Sequence, residues 1–126
     1  ADTTVHPIPK PYPIPGRFIL TEDELINIQV RIDAFNETIF QVANVSGLAV
    51  VDMDAVLTSF KTGLVFDGIK LNTSFISGGL FSTDGIHLDP RGCAVAANYF
   101  IQAINAKYGC NIPQADITAY PGLVFP

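Results

Sequence analysis

The chain has 126 residues, 48% of them hydrophobic and 15% charged, with a net charge of −5 at pH 7. This is enough apolar content for one folded domain and too much for a disordered segment. No cluster of Lys or Arg offers the basic footprint that nucleic acid or an anionic membrane surface requires. The longest apolar runs, such as 48–51, fall far short of the roughly 20 residues of a membrane span, so neither a nucleic-acid partner nor a membrane span is expected.

Ala1-Asp2-Thr3-Thr4 shows no charged stretch leading into an apolar one, and no signal peptide is visible. Residues 5–16 carry proline at nearly every second position, which forbids helix and sheet ladder alike. Residues 1–20 are therefore read as a proline-rich extended arm, with His6 a solvated residue within it. Thr21 and Glu24 then form a capping box ahead of a helix over 21–46, and Gly47 ends it. Leu25, Ile28, Ile32, Phe35, Ile39 and Val42 recur at spacings of three and four, which predicts one apolar stripe facing a core.

The run 48–52 is short and β-branched without alternation, as expected of a strand buried on both faces of a parallel sheet. Asp52 and Asp54 at its end are read as the cap of a short helix over 53–60, or, less simply, as the rim of a site. Asp67-Gly68 between apolar triplets predicts a small hairpin over 64–72. Residues 73–88 form a long irregular loop. Asp89-Pro90 starts the last helix, 90–108, whose apolar residues cover most of its girth and predict heavy burial, Cys93 included, before Gly109 ends it. Cys93 and Cys110 stand about 25 Å apart along that helix, too far for a disulfide. The tail, with Pro113, Pro121 and Pro126, is irregular.

Chemistry concentrates in the loop. Asp84 and His87 are three residues apart in Asp-Gly-Ile-His, and an imidazole base needs a carboxylate on its second nitrogen to fix the tautomer and stabilise the imidazolium. Alone, the pair reads more simply as a turn-forming Asp-Gly and a loop histidine packing on the hairpin. A metal site from Asp84, His87 and Asp89 is disfavoured, because metal sites recruit more histidine or cysteine. No metal or cofactor is expected.

The order of the flanks, Phe75-Ile76-Ser77-Gly78-Gly79-Leu80-Phe81, then Asp84 to His87, Pro90-Arg91-Gly92 and 94–98, resembles the last block of the SGNH hydrolases, the GDSL-type esterases and lipases. The resemblance implies that Asp84 and His87 are catalytic and that the fold is the C-terminal part of a three-layer α/β/α, flavodoxin-like domain over 21–126, with its N-terminal half absent. It implies an ester substrate, whether a small molecule, a lipid or an acylated glycan. It also implies a serine in a Gly-Asp-Ser block, and Ser46, Ser59, Ser74, Ser77 and Ser82 all lack that context. Leu88 and Cys93 depart from the family pattern as well. The chain alone is thus expected to be inactive, and to form a homo-oligomer or join its missing half. The alternative is a non-catalytic binding or interaction module.

Overall fold

A computed structural model describes residues 14–123. The chain divides into two compact units, Ala1–Val42 and Ala43–Pro126. Most of the proline-rich arm, with His6, lies outside the described residues. Within them, Pro15 is extended (φ −55°, ψ 138°) and caps a 3-10 turn over Gly16–Phe18, closed by the Phe18 N–H donating to the Pro15 carbonyl.

Helix α1 spans Glu22–Val45. It begins as the capping box predicts: the Thr21 N–H donates to Glu24 Oε2 at 2.8 Å, and the Glu24 N–H donates back to Thr21 Oγ1 at 3.3 Å. The Thr21 N–H, and then the Thr21 hydroxyl donating to the same oxygen at 2.9 Å, hold the Glu24 carboxyl below its usual range, and its charge suits the positive end of the helix dipole. The apolar stripe is where expectation fails. Leu25, Ile28, Ile32, Phe35, Ile39 and Val42 are all exposed, and Ala43 is the one buried residue of the helix. A periodic stripe records which side of a helix would enter a core; burial itself requires an element on that side.

In the second unit, α1 ends in a Schellman motif. Gly47 takes φ +66°, its N–H donates to the Asn44 carbonyl, and the Leu48 N–H reaches the Ala43 carbonyl at 2.8 Å. The predicted buried strand over 48–52 does not form. Residues 48–51 carry no regular structure, and Leu48 and Val50 are exposed. A β-branched run becomes a strand only when a neighbour completes its ladder, and no second strand lies beside it among the described residues. Instead the Ala49 N–H donates to the Tyr108 hydroxyl at 3.0 Å. Helix α2, Met53–Ser59, follows with Asp52 as its cap, accepting from the Ala55 N–H at 2.9 Å.

Strands β1 (Leu64–Phe66) and β2 (Ile69–Leu71) pair antiparallel, Leu64 opposite Leu71 and Phe66 opposite Ile69. Asp67 (φ 47°) and Gly68 (φ 81°) both lie in the left-handed region that a two-residue hairpin turn of matching twist demands. Helix α3, Pro90–Tyr108, is capped by Asp89, whose Oδ1 accepts from the Gly92 N–H at 2.7 Å, and it closes on Gly109 at φ 64°. The mixed helix-and-strand character expected from the sequence is thus present, the sheet among the described residues being this one hairpin.

The core consists of Phe60, Leu71, Leu80, Ala94, Val95 and Ile117. Phe60, Phe66 and Tyr99 pack ring against ring at 6.1–6.4 Å between centroids. Heavy burial of α3 is not observed: only Gly92, Ala94, Val95 and Asn98 are buried. Cys93 sits roughly 100° around the helix from Gly92, away from that arc, so its thiol is exposed rather than buried, and both cysteines are free.

Candidate active site

Loop 72–89 is held by its own backbone. The Asn72 N–H donates to the Gly78 carbonyl at 2.8 Å, and the Gly78 N–H to the Ser74 carbonyl at 2.9 Å. This first turn is tight enough that a Cβ on Gly78 would lie 2.2 Å from the Asn72 carbonyl oxygen, so only glycine fits. Further on, Phe81 and Leu88 form an antiparallel bridge. Below that bridge the Asp89 N–H donates to the Leu80 carbonyl, and above it the Ser82 N–H donates to the His87 carbonyl at 2.8 Å. The six residues Ser82 to His87 are therefore pinched at their base, directly ahead of α3.

Inside that pinch the structure brings together the two residues the sequence singled out. His87 Nδ1 lies 2.7 Å from Asp84 Oδ2. The other carboxylate oxygen, Oδ1, accepts from the Ser82 hydroxyl at 2.7 Å and from the N–H groups of Ile86 and His87 at 2.9 and 3.0 Å. The His87 bond first, then the Ile86 amide, the Ser82 hydroxyl and the His87 amide, hold the Asp84 carboxyl well below the usual carboxylate range. Asp84 is therefore an anion at any pH where histidine titrates, as the partner of an imidazole base must be. The chain turns here through Gly85 at φ 70°, under the Phe75 ring, where a Cβ would come within 2.7 Å of that ring.

The pair is open to solvent, with 81% of the His87 side chain and 46% of the Asp84 side chain accessible. With Nδ1 committed to Asp84, the imidazole presents Nε2 outward, and no described residue bonds to it. Ser82 is engaged on the carboxylate side of the dyad, so its hydroxyl is not placed as a nucleophile for Nε2. Ser59 spends its hydroxyl on the Val56 carbonyl within its own helix.

Asp52 serves as a helix cap. Asp54 lines a cleft of about 300 Å³ with Thr58, Lys61, Phe75 and Gly85, on one flank of the loop. Asp89 neither joins Asp84 and His87 nor forms a metal site with them; it is buried, and its oxygens accept from the N–H groups of Gly92 and Leu123. No group of residues able to hold a metal ion occurs among the described residues. The bond from the Ser82 hydroxyl to Asp84 is a link that the sequence reading did not supply.

No protein-family model, no curated protein and no solved structure matches this chain.

Proposed function

We propose that this chain carries the acid–base half of a serine ester hydrolase of the SGNH type, with His87 as the proton carrier and Asp84 as its orienting carboxylate. The observation behind this reading is the dyad: an anionic Asp84 bonded to Nδ1 of an imidazole whose Nε2 faces outward. The resemblance of the flanking sequence supports it. In the reaction, His87 takes the proton of a serine hydroxyl as the oxygen attacks the acyl carbon, and returns it to the leaving alkoxide. Asp84 keeps the proton on Nδ1 and stabilises the imidazolium between the two steps. The serine and the oxyanion donors belong to a segment outside this sequence. The three-layer sheet of the family belongs to the same proposal, since a sheet from that segment would cover the α1 stripe and give 48–52 a partner.

The test uses a protein joining this chain to a Gly-Asp-Ser block. His87→Ala and Asp84→Asn are each expected to lower turnover of a chromogenic short-chain ester by about 10⁴-fold or more, with the fold intact by circular dichroism. Unchanged rates would overturn the assignment. A non-catalytic binding module is the second reading, favoured by the absence of a serine facing His87 among the described residues. A fluorophosphonate probe separates the two: it labels a serine of the joined protein under the first reading and none under the second.

A further inference from the structure

The two oxygens of Asp84 have different duties. Oδ2 meets the imidazole, while Oδ1 collects the Ser82 hydroxyl and the Ile86 and His87 amides. The His87 side chain is largely open to water and that of Asp84 about half open. At such exposure water competes for every bond, so their alignment rests on how many donors converge on the carboxylate. The two amides come with the turn whatever the side chains are. Ser82 supplies the one side-chain donor to Oδ1. Its own backbone is anchored independently, by its N–H to the His87 carbonyl at 2.8 Å and its carbonyl to the Gly85 N–H at 3.0 Å.

We infer that Ser82 is a positioning residue: its hydroxyl holds Oδ1 so that Oδ2 faces the imidazole, and His87 is thereby kept with its proton on Nδ1 and its lone pair on Nε2. The inference deepens the hydrolase reading, and it is tested without turnover. Imidazole ¹⁵N shifts, read at a pH above the histidine titration, distinguish the two neutral tautomers. His87 is observed alone in a His6→Gln background, since the chain has two histidines.

The Nδ1–H form is expected to dominate with Ser82 present. Ser82→Ala is expected to shift the majority to Nε2–H, the form free histidine favours in water, and Ser82→Thr to restore Nδ1–H. If Ser82→Ala loses its dispersed amide spectrum, Ser82→Cys, which keeps the volume with a much weaker donor, is read in its place. An Nδ1–H majority in the folded alanine or cysteine variant overturns the positioning role and leaves the dyad standing. An Nε2–H majority with Ser82 intact overturns the dyad itself, and the hydrolase reading with it.

Discussion

The side-chain amide of Asn98 grips the backbone of Ala115 from both sides, Nδ2 donating to its carbonyl at 2.9 Å and Oδ1 accepting its N–H at 2.7 Å. Asn98 is 1% exposed, and beyond Ala115 the chain enters the 3-10 turn Ile117–Ala119 that delivers Ile117 to the core. Asn98→Leu keeps the volume but leaves two backbone groups without partners, and is expected to cost about 2–5 kcal/mol. Urea denaturation measures it. A change under about 0.5 kcal/mol would show that the tail is not tied to α3 in solution.

Gly92 and Gly68 are glycine for different reasons, and alanine separates them. A Cβ on Gly92 would lie 2.1 Å from the Leu80 carbonyl oxygen, so α3 must move away from the base of the site loop. Gly92→Ala is expected to cost about 3 kcal/mol or more. Gly68 has open space around it, and only its φ of +81° objects. Gly68→Ala is expected to cost roughly 1–2 kcal/mol. Equal denaturation midpoints for the two variants would contradict this.

The depressed Asp84 carboxyl sets an acid dependence of stability. In the unfolded chain the group titrates near its ordinary value of about 3.9. Its contribution is therefore fully present above about pH 4 and fades as pH falls towards the lower folded-state value. The stability difference between the native sequence and Asp84→Asn should hold steady down to about pH 4 and shrink below it, in paired urea titrations. Growth of the difference in acid would mean that the carboxyl is not held as an anion.

The stripe of α1 gives a fourth expectation. Ile32 and Phe35 are exposed by 41% and 67%, so Ile32→Gln and Phe35→Gln are expected to change stability by less than about 0.5 kcal/mol each, as substitutions on open surface do. Losses of about 2 kcal/mol or more would show that the stripe is covered in solution.

Where the sequence carried its own local geometry, it could be read. The capping box of Thr21 and Glu24, the Asp67-Gly68 turn and the Asp89-Pro90 start with its Gly109 stop each satisfy backbone groups within a few residues, and each stands where it was expected. The Asp84–His87 contact belongs to the same class. Features that depend on distant partners could not be read. Residues 48–52 have strand chemistry without a ladder to join. Ile117 reaches the core on a tail that Asn98 helps to hold, and an asparagine in an apolar helix gives no sign of which backbone it will meet. The exposed stripe of α1 and the exposed Cys93 are the same lesson: periodicity marks a face and leaves its neighbour unnamed.

Every bond that shapes the dyad closes within six consecutive residues, from Ser82 to His87. Closing so short a loop has a small entropic penalty and awaits no long-range contact. The Asp84–His87 pair is consequently portable: it can assemble early in folding and survive damage elsewhere. Core substitutions far from the loop should leave Asp84 and His87 aligned with each other; under the proposed hydrolase reading they would act on turnover through the distance from Nε2 to the serine hydroxyl it would serve.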